Sequence, residues 1–300
     1  MPRPASLAAW LAYLESLHPK SIALGLDRVR AVHAHLDARI ACPVVTVGGT
    51  NGKGSTCAML ESILRSAGYR TGLYTSPHLV RFNERIRLLG GEATDDEIVA
   101  AFHAVEDARL ATLAADGTPT PLTYFEFGTL AAWKIFADAK LDVLILEVGM
   151  GGRLDAVNIV DADVAVIASV DLDHQDWLGD TREAIGREKA GIMRAGRPAV
   201  CADAAPPASV LDVARELGAQ LMLIGRDYGY TDERTQWRYR GPRGERFGLP
   251  FPALRGQYQL ANAATVLCVL DLLHERLPVS AGALREGLLT VTLPGRFQVL

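Results

Sequence analysis

The stretch Gly49-Thr50-Asn51-Gly52-Lys53-Gly54-Ser55-Thr56 follows a short β-branched run, Pro43 to Val47, and opens a helical pattern from Ser55 to Ser66. Glycines between a strand and a helix let backbone N–H groups converge on an anion, and the helix N-terminus adds positive potential. That is phosphate-binding chemistry, in which Lys53 reaches the terminal phosphates and Ser55 or Thr56 can ligate Mg²⁺. Gly54 departs from the G-x-x-x-x-G-K-[ST] pattern by standing between the lysine and the hydroxyl residue. A glycine-rich turn without a ligand is the bland alternative.

Other chemistry-bearing residues cluster where apolar runs stop. Glu147 ends the run Leu141 to Val148 and opens Glu147-Val148-Gly149-Met150-Gly151-Gly152-Arg153-Leu154-Asp155. Ligands bind at the carboxyl ends of strands in open α/β sheets, and a carboxylate there suits a hard cation. Asp171-Leu172-Asp173-His174-Gln175-Asp176 follows the run Val164 to Val170, and His174 either completes a metal site or is an ordinary loop histidine. Lys189 stands on the next helical segment. It is either a surface lysine, a positive charge near phosphates, or a carbamylated lysine acting as a carboxylate. Ser76-Pro77-His78-Leu79-Val80-Arg81-Phe82-Asn83-Glu84-Arg85 reads as a mobile substrate loop or as a solvated connection anchored at Phe82. Thr123-Tyr124-Phe125-Glu126-Phe127 opens a helix, with Phe127 assigned to the core.

The elements that must position these groups alternate. Helices are expected from Leu7, Leu24 to Ile40, Ser55 to Ser66, Thr94 to Ala114, Thr123 to Ala137, Thr181 to Arg194 (with Asp180 as N-cap), around Val210 to Leu217, Gln257 to His274 and Ser280 to Leu289. Strands are expected at 43–47, 71–75, 141–148, 164–170, 199–201 and 221–224. This pattern predicts an α/β fold with a mainly parallel sheet flanked by helices. Tyr228 to Phe251 breaks it and reads as antiparallel strands at the sheet edge. Pro294-Gly295 reads as a hinge and Phe297 to Leu300 as a strand just beginning.

Composition excludes several classes. The 300 residues are 49% hydrophobic and 22% charged, which is ordinary globular usage rather than disorder or coiled coil. Mean hydropathy is +0.12, but no apolar run of about 18 residues is present, so no membrane span is expected. The formal net charge of -4 argues against a strongly basic nucleic-acid binder. The four cysteines are scattered, with no C-x-x-C pair, and the N-terminus lacks a signal-peptide pattern; a cytoplasmic chain is expected.

Eight motifs in order, VGGTNGKGST, TSPHLVRFNERI, TYFEF, EVGMGGRLDAVN, DHQDWLG, GREKAGI, QYQLANAA and LPGRF, resemble the folylpolyglutamate synthase/dihydrofolate synthase family of the ATP-dependent Mur ligase superfamily. The resemblance runs from about Val44 to Phe297, and the inserted Gly54 is normal in that family. It implies a P-loop NTPase-like Mur ligase central domain over 1–293, and 294–300 as the start of a C-terminal α/β domain that is otherwise missing. It further implies an ATP-dependent ligase joining L-glutamate to dihydropteroate or tetrahydrofolate through an acyl phosphate. Ser55 and Glu147 would hold one Mg²⁺, and His174 a second that Glu147 bridges. Lys189 matches a carbamylated lysine, and Asn262 and Arg296 match ATP contacts alongside the loop Gly49 to Thr56. Ser76, His78, Arg81, Phe82 and Arg85 match the loop beside the folate, and Thr123, Phe125 and Asp155 match pterin positions. The resemblance implies a monomer. A UDP-muramyl ligase of the same superfamily would carry a nucleotide-sugar domain ahead of the loop, and the 48 residues before Gly49 favour the folate branch. A different phosphate-loop enzyme, such as a kinase, and a nucleotide-binding module made inactive by truncation are the remaining alternatives.

Overall fold

A computed structural model describes residues 3–18 and 22–295. The elements are α1 (Leu7–Ser16), α2 (Asp27–His33), β1 (Val44–Gly48), α3 (Lys53–Ser66), β2 (Thr71–Tyr74), β3 (Ile86–Leu88), β4 (Gly91–Glu92), α4 (Asp95–Ala111), α5 (Tyr124–Asp138), β5 (Val143–Glu147), β6 (Val164–Ile167), α6 (Gln175–Leu178), α7 (Arg182–Ala190), β7 (Pro198–Cys201), α8 (Ala208–Glu216), β8 (Gln220–Leu223), β9 (Gly229–Asp232), β10 (Trp237–Gly241), β11 (Gly244–Leu249), α9 (Gln259–Leu272) and α10 (Ala281–Thr290).

Strand order in the main sheet is β4-β3-β2-β5-β1-β6-β7-β8. Strands β2 through β8 along this order are parallel, while β3 and β4 add antiparallel at one edge. Alternation along each central strand divides its side chains between two cores. Leu144, Leu146, Ala165 and Ile167 join α1, α2, α4 and α5 on one face. Val45, Val47, Ile145, Val164 and Val166 join α3, α9 and α10 on the other. The chain leaves β1 toward β2, but passes from β5 across β1 to β6. The carboxyl ends of β5, β1 and β6 therefore surround a topological switch point, where open α/β sheets bind ligands.

Helix α10 supports α3 directly. Ser62 Oγ donates to the Gly287 carbonyl at 2.8 Å, and a Cβ on Gly287 would stand 2.4 Å from Ile63 Cα. That neighbour is backbone and cannot swing aside. Gly287→Ala is expected to lower stability by about 1–3 kcal/mol through overpacking, seen as a lower urea midpoint at unchanged slope.

Several element ends differ from the sequence expectation. Helix α2 stops at His33 because His35 and Leu36 donate to carbonyls three residues back, tightening the turn and carrying Leu36 and Ala38 into the core. Helix α7 starts with Thr181, not Asp180, as N-cap, its hydroxyl accepting from Ala184 N–H at 3.1 Å. It ends at Ala190, not Arg194, since Gly191 packs on Arg153 and the Arg194 guanidinium takes the carbonyls of Gly191, Ile192 and Met193. Strands β9 to β11 form a separate three-stranded antiparallel sheet rather than an extension of the main sheet's edge; a bridge from Ile224 to Tyr228 leads into it. Trp237, Tyr239 and Tyr228 bury themselves against α9, which is why this segment leaves the edge. Strands β3 and β4 were too short to show a period in the sequence.

Cys57, Cys201 and Cys268 are buried free thiols and Cys42 is partly buried. Among the described residues no helix is long and apolar enough to cross a membrane. Pro294 and Gly295 form a turn; Arg296 and Phe297 to Leu300 lie outside the described residues.

Candidate active site

The glycine-rich turn Gly49 to Gly52, the candidate phosphate loop, leaves β1 at the switch point. Gly49 (φ +143°) and Gly52 (φ +89°) adopt backbone conformations that favour glycine, and Gly52 is the N-cap of α3. A Cβ on Gly49 would stand 3.0 Å from Ser169 N, and one on Gly52 would stand 2.8 Å from Asn262 Oδ1. Gly49 is thus constrained by neighbouring backbone as well as by φ, and Gly52 by φ, its close neighbour being the end of a side chain. Lys53 Nζ donates to the carbonyls of Gly49 at 2.9 Å and Thr50 at 3.4 Å, so its ammonium lies over the loop. Ser55 and Thr56 are buried in the first turn of α3. Gln259, which the sequence reading did not single out, donates to Ser55 Oγ at 3.4 Å and accepts from Asn262 Nδ2 at 3.1 Å. The Q-x-x-N spacing on one helix face was the available signal.

Glu147 is buried at the end of β5 and accepts from Ser76 N–H at 3.2 Å. Its Oε1 lies 3.8 Å from where a Cβ on Gly54 would stand, against the first turn of α3. Backbone N–H groups at a helix start with an adjoining buried carboxylate and hydroxyl make a donor set that fits a polyphosphate with a hard cation. His174 sits in the left-handed region (φ +46°), half exposed, and its Nε2 is 3.5 Å from Asp173 Oδ1. Among the described residues no group of three or more His, Cys, Asp and Glu side chains gathers tightly enough to hold a metal unaided.

Among the described residues, Lys189 is the largest charged side chain less than 2% exposed, at 1%. Burial, reinforced by the like charge of Lys53, lowers its pKa to about 8, while Asp173 opposes the shift. Gly152 makes this burial possible: a Cβ there would stand 3.0 Å from the Lys189 carbonyl and 2.9 Å from that of Glu188. Arg153 closes the contact by pairing with Glu188 at 2.8 Å. The glycine-rich turn after Glu147 and helix α7 are therefore packed as one unit.

Aromatic side chains stand at the carboxyl ends of β2 and β5, where the Phe125 ring packs on Gly149. Tyr74 and Phe125 are 6.3 Å apart, with Phe125 half-buried. Thr123 is buried and its hydroxyl accepts from Glu126 N–H at 3.2 Å, so that group already caps α5. Arg28, missed in the sequence, pairs with the buried Glu126 at 2.7 Å, and Gly25 N–H reaches the Leu154 carbonyl at 3.5 Å. In the loop, Arg85 Nε donates to His78 Nδ1 at 2.7 Å and its guanidinium stacks on Phe82 and Tyr124 at 5.6 and 5.8 Å. Burial and the Arg85 charge lower the pKa of His78. Phe82 is itself buried at 3%, so it anchors the loop and leaves little surface for a ligand. Arg81 is exposed and pairs with Glu92 at 3.3 Å. The Glu84 carboxylate accepts the N–H groups of Leu79, Val80 and Arg81, which hold its pKa below the usual range and shape the loop.

Asp155 is buried where the loop after β5 turns. It accepts from Met150 N–H at 2.8 Å and Val157 N–H at 3.0 Å, yet burial outweighs these bonds and raises its pKa to about 6. Its folded pKa lies above its unfolded value, so its contribution to stability is largest in acid and declines as pH rises through 4 to 6. Asp155→Asn turns an NH₂ toward one backbone donor and is expected to cost about 1–3 kcal/mol. That deficit should narrow between pH 4 and pH 6.5, as measured by urea unfolding at both.

The chain matches the Mur ligase middle domain family over residues 47–270. It is 49% identical over 301 residues to the dihydrofolate synthase/folylpolyglutamate synthase of Escherichia coli (strain K12), covering 100% of this chain and 68% of that protein. It is 46% identical over 295 residues to the Haemophilus influenzae protein of the same name, covering 98% of this chain and 64% of the relative. The structure superposes on E. coli FolC in complex with DHPP and ADP with a TM-score of 0.91 at 49% identity, over 100% of this chain and 70% of that one. A bifunctional folylpolyglutamate synthase/dihydrofolate synthase with Mn, AMPPNP and L-glutamate bound gives a TM-score of 0.87 at 49% identity, with the same coverage. A family model over residues 47–270 and relatives 49% and 46% identical across nearly the whole chain show that it belongs to the Mur ligase family, in the dihydrofolate synthase/folylpolyglutamate synthase branch.

Proposed function

We propose that the chain joins L-glutamate to dihydropteroate or a tetrahydrofolate at the expense of ATP. The observation that carries this reading is the convergence of Lys53, Glu147 and Lys189 around one switch point. A carboxylate oxygen is a poor leaving group. Transfer of the terminal phosphoryl group to it forms an acyl phosphate and releases ADP; the glutamate nitrogen then bonds to the acyl carbon, loses a proton, and phosphate departs. Lys53 and the N–H groups at the start of α3 offset the negative charge that builds on the transferring phosphoryl group. Ser55 and Glu147 would hold one divalent cation, whose role is to neutralise phosphate charge, and His174 would contribute to a second. Phe125 and Asp155 present an aromatic face and a buried carboxyl to the pterin, and the loop Ser76 to Arg85 covers it. Asn262 orients the nucleotide from the start of α9.

Lys189 is proposed to carry a carbamate. Its lowered pKa leaves a large fraction of neutral amine near pH 8; the amine nitrogen bonds to CO₂, one N–H proton is released, and the product is an anion where an ammonium stood.

The test is ADP release with ATP, Mg²⁺ and L-glutamate, comparing dihydropteroate with tetrahydrofolate. Glutamylated product from both, in step with ADP, is expected of a bifunctional ligase. Product from one alone assigns a single activity. Phosphorylation of an acceptor without any need for glutamate would overturn the ligase reading.

A further inference from the structure

Two hydroxyl groups cross between the phosphate loop and the segment after β6. Ser169 Oγ accepts from Asn51 N–H at 2.9 Å and donates to the Asn51 carbonyl at 3.1 Å. Thr50 Oγ1 accepts from Asp171 N–H at 3.0 Å and donates to the Asp171 carbonyl at 3.1 Å. Between them, Thr50 N–H donates to the Ser169 carbonyl at 2.9 Å. Each segment's hydroxyl thus brackets one residue of the other, taking its N–H and donating to its carbonyl, and each hydroxyl uses its only proton in doing so.

The geometry matters because Thr50 and Asn51 lie between Gly49 and Gly52, both at positive φ. A dipeptide flanked by two glycines has many conformations open to it, and only some aim its N–H groups at a phosphate. The segment after β6 is a firm post. Val170 N–H donates to Asp203 Oδ2 at 3.0 Å, and Arg182 donates to the Val170 carbonyl and to Asp203, each at 3.0 Å.

We propose that Ser169 is a positioning residue that, with Thr50, holds the phosphate loop in its anion-binding shape before a nucleotide arrives. This inference rests on the nucleotide-dependent ligase reading. Preorganisation of this kind removes an ordering cost from binding.

The experiment titrates a fluorescent ATP analogue with Mg²⁺ into the unsubstituted protein, Ser169→Ala, Thr50→Val and the double variant, with thermal melts of each. Each single variant should bind about fivefold to thirtyfold more weakly, the equivalent of one or two lost hydrogen bonds, with its melting temperature little changed. The double variant should lose scarcely more than the weaker single, since both hydroxyls hold the same two segments. Ser169→Thr keeps the hydroxyl and should restore binding, which guards against a folding artefact. Hydrogen exchange at the Asn51 and Asp171 amides should quicken in both single variants without nucleotide. Binding within twofold of the unsubstituted protein, or losses that simply multiply in the double variant, overturns the inference alone. Failure of the unsubstituted protein to bind nucleotide overturns this inference and the ligase reading together.

Discussion

Replacing Lys53 by methionine is expected to lower ADP release by about 10²- to 10³-fold, the size of effect seen when one preorganised hydrogen-bond donor to a developing anion is removed. The loss should fall mainly on kcat. Glycine N–H groups and the α3 terminus continue to bind ground-state phosphates, whereas the ammonium counts most when charge shifts onto the leaving oxygens. Methionine keeps most of the side-chain length, so the loop should retain its fold. A second consequence distinguishes this account from simple loss of nucleotide binding. Lys53 is the like charge that helps to depress Lys189. Removing it should raise the pKa of Lys189, reducing neutral amine at pH 8 and slowing any reaction of that amine with CO₂. An equal fall in nucleotide affinity and turnover, with Lys189 titration unmoved, would show that Lys53 acts only by binding.

The other large effect is expected at Lys189. Lys189→Met should abolish most turnover, by about 10²-fold or more, if the lysine carries a carbamate that orients the reacting groups. Depleting CO₂ from the unsubstituted enzyme should reproduce part of that loss, and bicarbonate should restore it. Intact-mass measurement should show the mass of one CO₂ on the peptide containing Lys189. Equal activity with and without CO₂, together with an unmodified peptide, would reject the carbamate and leave a positive charge in its place. The unmodified amine also has a signed effect on stability. Its folded pKa of about 8 is below the ordinary lysine value, so the unfolded chain holds the proton more tightly. Below pH 8 the buried ammonium counts against folding, on the order of 3 kcal/mol, and this penalty is relieved as pH rises toward 10.5. With CO₂ removed, the unsubstituted protein should therefore gain stability relative to Lys189→Met between pH 8 and pH 10, followed by urea midpoint. A carbamate would remove that titration.

Much of the site was legible before folding was considered. Gly49 to Thr56 marked a candidate phosphate loop because glycine, lysine and hydroxyl spacing is a local matter of backbone freedom and reach. Glu147 stood out because it ends an apolar run, where a carboxylate suits a hard cation, although a solvated strand-end acid was the alternative; Asp155 stood out only through the family resemblance. The helix ends were less legible. Nothing near Arg194 in sequence indicates that its guanidinium would take three carbonyls and end α7 early. Thr123, a match to a pterin position, already spends its hydroxyl on a helix cap. Phe82, placed in the substrate loop, is occupied chiefly in anchoring it.

The sequence by itself determined the inventory: apolar runs that form buried strands, helices between them, and one glycine-rich turn from strand to helix. Tertiary structure decided the neighbours. The order β2-β5-β1-β6 brings Glu147 beside the phosphate loop and sets Ser169 against Asn51, although more than 90 residues separate each pair along the chain. The burial of Lys189 depends on a glycine at 152, its lowered pKa on that burial and on Lys53, and the retreat of β9 to β11 from the sheet edge depends on α9, which comes later in the chain. Spacing along a chain fixes dihedral preference and which face a residue takes. Burial, charge coupling and strand order arise only when remote segments compete for the same apolar surface, so they are properties of the assembled fold.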